Sequence, residues 1–415
     1  MSAIQHLQLK INLKENHWEF LLILYACVLP FGTALINIVY GLIIGYWIKD
    51  IFLRKIKITK KDICYILVFS GFNILSIISL SFSENVINGL DKVLLQSSLL
   101  LFPLILISKK ELFSKLFFIK LITFFSISVS LLCLLSLINQ GFKHVGLTGN
   151  NYKLFFEDNL ARSVVDYYFL GLSLVVSFVI IINMYLVSFH KKALFLCYQK
   201  GVYALLIFLA LILILLNSRT LIAVTSLFVL IILVFGAVKN KRVLIMFPII
   251  VLVMFFNFKH NSFFNNKLME ALSYEQHENS FWGGRGMRLL IWDCSVKVIK
   301  ENPLFGVGVG DQQDVLTLCY NVYMMDEILY KGGETKNAHN IFLQIGLATG
   351  LVGICLFLAS FLFPVIWSIN SNSIYGFFVL FFILAGLTES YLERNVSIAF
   401  FSFFNMLCFL SFRKK

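Results

Sequence analysis

The residues able to do chemistry in this chain are few, and they sit at the ends of long apolar runs. From Gly201 to Val238, 38 residues carry a single charge, Arg219, which divides the run into stretches of 18 and 19 residues. A chain that crosses a membrane, turns at Asn217-Ser218-Arg219-Thr220 and crosses back holds that guanidinium at the outer rim. Arginine is scarce, 8 residues against 27 lysines, and its planar fork grips phosphate bidentately where lysine offers a point charge. The plainer reading is a side chain that snorkels to lipid headgroups.

A second pair, Arg285 and Arg288, lies three residues apart in Trp282-Gly-Gly-Arg285-Gly-Met-Arg288-Leu-Leu-Ile-Trp292-Asp293. The apolar periodicity that follows predicts an amphipathic helix over 286–301 on the membrane surface. Both arginines then share a face near its N-terminus, where free N–H groups also favour an anion. They suit either a bound phosphate or lipid headgroups.

His339 stands in Asn337-Ala338-His339-Asn340 at the mouth of an apolar run, with amides on both sides that can fix its tautomer. Histidine takes a proton near neutral pH, so it is a candidate base, or else a structural hydrogen-bonder. Residues 340–388 contain no charge, after which Glu389, Glu393 and Arg394 appear together. A carboxylate there can orient His339 or an arginine, or pair locally with Arg394. The run Gly306-Val-Gly308-Val-Gly310-Asp311 fits neither phosphate-loop pattern and follows a helix, which points to a tight backbone approach instead of a nucleotide site.

These residues need a scaffold, and the composition says which. Of 415 residues, 59% are hydrophobic and only 14% charged, which excludes an ordinary soluble domain and a disordered chain. The apolar runs are continuous, not alternating, so they read as helices. An all-α polytopic membrane protein with about twelve spans is expected, at 18–32, 33–50, 63–82, 93–108, 116–139, 163–189, 201–217, 220–238, 243–258, 341–367, 374–389 and 395–412. The break between the first two rests on Pro30-Phe31-Gly32. The first apolar run starts after Lys10 and Lys14 without a small-residue cleavage site, so no cleavable signal peptide is expected.

Lysine and arginine mark the cytoplasmic side in short loops. Strict alternation puts Arg54 to Lys61, Lys109/Lys110/Lys115, Lys191/Lys192/Lys200, Lys239/Lys241/Arg242 and the Arg413 to Lys415 tail on one face. Arg219, Arg285, Arg288, His339, Asn340, Glu389 and Arg394 all fall on the other. The net charge of +13 is therefore mainly a topology signal and not a nucleic-acid footprint. Residues 1–258 form nine spans, 259–339 a large outer loop of net charge −2, and 340–415 the last three spans. Six of eight cysteines lie in or beside apolar runs; Cys294 and Cys319, in the outer loop, are the two that can pair. There is no C-x-x-C, no D-x-D and no other metal-ligand pattern.

An outward site that binds phosphate and takes a proton, beyond the reach of cytoplasmic ATP, needs a donor delivered through the membrane. Asn217-Ser-Arg219-Thr220, Arg285-Gly-Met-Arg288-Leu-Leu-Ile-Trp292, Glu301-Asn-Pro-Leu-Phe-Gly-Val-Gly308-Val-Gly310, Ala338-His339-Asn340-Ile-Phe-Leu-Gln344 with Gly350-Leu-Val-Gly353, and the Glu389 to Phe404 stretch together resemble the O-antigen ligase and polymerase superfamily. The resemblance covers roughly residues 205–405. It implies a GT-C-like glycosyltransferase of the bacterial inner membrane, with its active site facing the periplasm. Without metal or other cofactor, such an enzyme moves a glycan from undecaprenyl pyrophosphate to an acceptor hydroxyl, inverting the anomeric carbon.

On that resemblance Arg219 and Arg288 bind the pyrophosphate and stabilise its departure, with Arg285 the alternative match to Arg288. His339 is the base or acceptor-positioning group, with Asn340 beside it. Glu389 stands where the ligases more often have Asp, and Arg394 resembles a nearby arginine. The acceptor on the ligase reading is lipid A core. Polymerisation onto another repeat unit and transfer to protein Ser/Thr use the same parts. A transporter of lipid-linked glycan would also use outward arginines, but it needs charge deeper in the bundle.

Overall fold

The computed structural model describes residues 17–146, 152–165, 169–189, 196–237, 284–323, 336–368 and 373–412, and every regular element among them is helical. The first apolar stretch is two helices, α1 (His17–Val28) and α2 (Thr33–Phe52). They part where Pro30 has no N–H to give and Gly32 takes φ +105°. Next comes α3 (Lys60–Ser79), opened by a capping box in which Thr59 and Asp62 exchange side-chain and backbone bonds.

The span expected at 93–108 lies within a longer apolar run, Val86–Ser108, made of α4 (Val86–Leu95) and α5 (Ser98–Ser108). Then follow α6 (Lys115–Gly146), the short α7 (Glu157–Ala161), α8 (Phe169–Phe189), α9 (Leu196–Leu215) and α10 (Arg219–Ala237). The expected span at 243–258 lies outside the described residues. So does much of the outer segment, within which α11 (Gly284–Glu301) and α12 (Gln312–Tyr323) are described. The chain ends with α13 (Ile341–Ser368), α14 (Ser373–Gly386) and α15 (Asn395–Ser411).

Among the described residues, six helices have the length and apolarity to cross a bilayer, and five shorter apolar helices of 10–17 residues join them. The chain is thus a helical, multi-pass membrane protein, and length alone does not carry the count to twelve.

Ion pairs sort the helix ends into two poles. At one, Lys109 meets Asp50 and Lys110 meets Asp62 at 2.6 Å, while Lys120 lies 3.7 Å from Glu19 and Lys115 sits over the Phe412 ring. This gathers the start of α1, the end of α2, the start of α3, the end of α5, the start of α6 and the end of α15. At the opposite pole, the α3–α4 turn meets Gly310 and Asp311, Lys92 meets Glu393, and Asn37 meets Asn395. Of the five basic clusters expected on one side, Arg54 to Lys61 and Lys109/Lys110/Lys115 meet at the first pole; the side chains of the other three lie outside the described residues.

Helix α15 runs through the middle and is buried from Ser397 to Ser411. Phe400 and Phe404 stack around Phe125 of α6 and Phe178 of α8, with ring centroids 4.7–5.9 Å apart. Two buried polar contacts fix its register: Ser402 Oγ donates to Ser98 Oγ at 3.0 Å, and the Tyr375 hydroxyl donates to Asn405 at 2.9 Å. Between helices in lipid, interdigitation and such bonds hold the bundle, because lipid tails are as apolar as the neighbours.

The expected single helix over 341–367 is broken. Gly350 takes φ +63° and ψ −161° inside α13. In an unbroken helix the N–H groups of Leu351 and Val352 would bond the carbonyls of Leu347 and Ala348. Instead the segment 303–308 lies between them: Leu351 and Val352 donate to the carbonyls of Pro303 and Leu304 at 2.8 and 3.2 Å, and Val307 and Gly308 donate to Leu347 and Ala348 at 2.9 and 3.0 Å. Two helix bonds are replaced by four, so the break leaves none of these groups orphaned in an apolar setting. A Cβ at Gly350 would collide with the Leu304 backbone. The glycine run after Pro303 is therefore a close backbone approach, as its spacing suggested.

Candidate functional site

The half of α13 before the break carries the histidine turn. Asn340 caps this half-helix, its Oδ1 accepting from the N–H groups of Phe342 and Leu343 at 2.9 and 3.1 Å. His339, one residue earlier, has φ +45°, a left-handed conformation that side chains other than glycine rarely adopt.

Three distant segments meet there. The Arg288 guanidinium on α11 donates from Nη2 to Glu389 Oε1 at 3.2 Å, and Glu389 Oε2 lies 3.9 Å from His339 Nδ1. Glu389 is thus shared between a permanent cation and a group that becomes one on protonation. Arg288 keeps 34% of its side chain exposed while Glu389 keeps 13%, so the guanidinium still has open donors for a ligand. Asn340 is tied to the same turn, donating from Nδ2 to the Leu387 carbonyl at 3.0 Å and from its N–H to Ser390 Oγ at 3.1 Å.

The turn is anchored from below by Tyr391, buried against Phe382 and Phe401 with ring centroids at 5.1 and 5.5 Å. Burial pushes its phenol well above the usual range, which keeps it neutral. From the side, Lys92 of α4 pairs with Glu393. Arg394, the last of this group, is exposed.

Helix α11 begins two residues before the expected 286–301 and turns one apolar stripe toward protein. Ile291, Cys294 and Val298, spaced three and four apart, bury against α12 and α13. A disulfide joins Cys294 to Cys319 of α12, with Cα atoms 5.8 Å apart. The N-terminus of α12 is held as well: Asp311 accepts from the backbone N–H groups of Glu84 and Asn85, both at 2.8 Å. Arg288 therefore rests on a cap that Asp311 ties to the α3–α4 turn and residues 303–308 tie to α13, with the disulfide bracing α11 against α12 inside it.

Arg219 is the first residue of α10, after a turn in which Asn217 takes φ +53° and donates to Glu157 at 3.0 Å. Asparagine tolerates the left-handed position that ends α9. The side chains of Arg219 and of Arg285, in the first turn of α11, lie outside the described residues. Of the residues singled out by sequence, Arg288, His339, Asn340 and Glu389 are brought together. Among the described residues, no group of three or more His, Cys, Asp or Glu converges as metal ligands do.

Sequence reasoning missed Lys92, Trp292 as a working residue, Gln344 and Ser390. Lys92 had a signal, a lysine in an outer connection otherwise poor in basic residues. The other three make hydrogen bonds that no spacing announces.

A search of curated proteins gives no match. Residues 204–358 match the family model described as O-antigen ligase. That range includes Arg219, Arg285, Arg288, His339 and Asn340, and the geometry adds Glu389 from beyond it. This part of the chain is similar to the O-antigen ligase family.

Proposed function

We propose that this protein is a glycosyltransferase of the bacterial inner membrane, working at its periplasmic face. It transfers a glycan from undecaprenyl pyrophosphate to lipid A core. The observation that carries the reading is the meeting of Arg288, Glu389 and His339, from three separate segments, at the pole opposite the lysine-rich ends.

In the proposed step the acceptor hydroxyl oxygen attacks the anomeric carbon from the side opposite the pyrophosphate. A new glycosidic C–O bond forms as the sugar–phosphate C–O bond breaks. The hydroxyl proton passes to His339, which Glu389 orients. Nδ1 is on the Glu389 side, so Nε2 is the nitrogen left to receive it. The electron pair of the broken bond leaves with the pyrophosphate, where Arg288 and Arg219, with Arg285, meet the growing charge. Fixed donors that gain strength as charge develops lower the barrier more than they tighten ground-state binding, so the step needs no metal. Asn340 and Arg394 complete the substrate surface.

The test is deletion of the gene in its own host, with the surface polysaccharide run on a gel. Loss of lipid A-linked long chains while lipid-linked polymer accumulates supports ligation. Core bearing one repeat unit would assign polymerisation instead. Unchanged lipopolysaccharide would turn the reading toward protein glycosylation.

A further inference from the structure

Resting on the role proposed for His339, a further question is what holds its backbone left-handed. The peptide plane before its Cα is fixed on both sides: the Ala338 carbonyl accepts from Trp292 Nε1 at 2.9 Å, and the His339 N–H donates to Asn337 Oδ1 at 3.0 Å. The plane after it is fixed by the Asn340 N–H, which donates to Ser390 Oγ at 3.1 Å. One plane further back, the Ala338 N–H donates to Gln344 Oε1 at 2.8 Å, and Gln344 is itself held by Gln312 at 3.2 Å. Ala338, Gln344 and Ser390 are buried.

The two remote partners have telling neighbours. Trp292 is one helical turn beyond Arg288 on α11, and Ser390 follows Glu389. The segments that bring the arginine and the carboxylate to the site are the ones that set the torsions of the histidine. The indole N–H and the serine hydroxyl both meet backbone groups of a half-buried turn.

We propose that Trp292 and Ser390 are positioning residues that lock the peptide planes on either side of His339 and so keep its imidazole beside Glu389. They act through His339, and the proton transfer depends on them.

The experiment uses purified full-length protein in lipid nanodiscs with a lipid-pyrophosphate-linked glycan and its acceptor. Trp292→Phe keeps the ring packing and loses the N–H; Ser390→Ala loses the acceptor, and Ser390→Thr keeps it. The expected result is a fall in kcat of about tenfold or more in Trp292→Phe and Ser390→Ala, since small misplacements of a reacting group cost that much. Donor KM stays within about twofold and Ser390→Thr restores the rate. Carbethoxylation of His339 by diethyl pyrocarbonate, followed by mass spectrometry, reads the same geometry without any activity and should change at least about threefold in both variants. Unchanged kcat and labelling in both, while His339→Ala is inactive, would overturn this inference and leave the proposed function standing. Full activity of His339→Ala would overturn both. Equal losses in Ser390→Ala and Ser390→Thr, with donor KM rising, would reveal a general structural role and also overturn it.

Discussion

Replacing Glu389 by Gln separates orientation from binding, because the amide keeps the size and one acceptor oxygen and removes the charge. At 3.2 Å from Arg288 Nη2, a full charge pair at an effective dielectric of about 20 is worth roughly 5 kcal/mol gross. A third of the Arg288 side chain is exposed, so solvent screening and desolvation remove most of that and leave about 1–2 kcal/mol. If that energy is spent on aiming Arg288 as the sugar–phosphate bond breaks, kcat falls roughly 5- to 30-fold. Donor KM should not rise, because Arg288 freed from Glu389 has more charge to offer a pyrophosphate. The assay is initial transfer rate against donor concentration for protein in nanodiscs. Combining Glu389→Gln with Arg288→Lys should cost less than the sum of the two, since they damage one contact. An unchanged kcat, or strict additivity in that double variant, would refute the shared role.

Other perturbations test the frame around the site. Gly350→Ala forces a side chain into φ +63° against the Leu304 backbone; it should lower stability by more than the about 1–2 kcal/mol of the left-handed conformation alone. Gly41→Ala, in open space on α2, should change thermal unfolding little, and equal effects at the two positions would contradict the wedge at residues 303–308. Lys92→Met leaves the Glu393 carboxylate, 7% exposed, without its cation and should cost about 1–3 kcal/mol. The double change with Glu393→Gln should recover most of that loss, and no recovery would show that the pair is incidental. Replacing Cys294 and Cys319 by Ser opens a loop with a separation of 25 residues and should cost about 3 kcal/mol, read as a lower unfolding temperature. Reductant should lower the wild type alike and leave the double variant unmoved.

What the sequence could show follows from what kind of signal each feature has. Arg219, His339 and Glu389 were conspicuous because charge and imidazole are costly at the end of an apolar run, and their isolation is visible without a structure. Pro30 with Gly32, and Asn217, marked real helix ends through backbone chemistry that belongs to single residues. The convergence of Arg288 with Glu389 was not legible, because 101 residues separate them and only packing decides which carboxylate meets which arginine. The break at Gly350 was hidden for a different reason. Gly346, Gly350 and Gly353 have the spacing of a helix-packing face, and nothing in their own run tells of the Pro303 to Gly308 segment that opens the helix. For α11 the apolar stripe reported that a face is covered, but it could not name α12 and α13 as what covers it.

The most direct measurement is transfer itself, with purified protein in nanodiscs, an undecaprenyl-pyrophosphate-linked glycan and lipid A core, comparing wild type with Arg288→Ala and His339→Ala. The account predicts glycosylated lipid A core from the wild type and at least a hundredfold less from either variant, both still folded in the membrane. Wild-type rates from both variants, or no product from the wild type with any of the three acceptor classes, would contradict it.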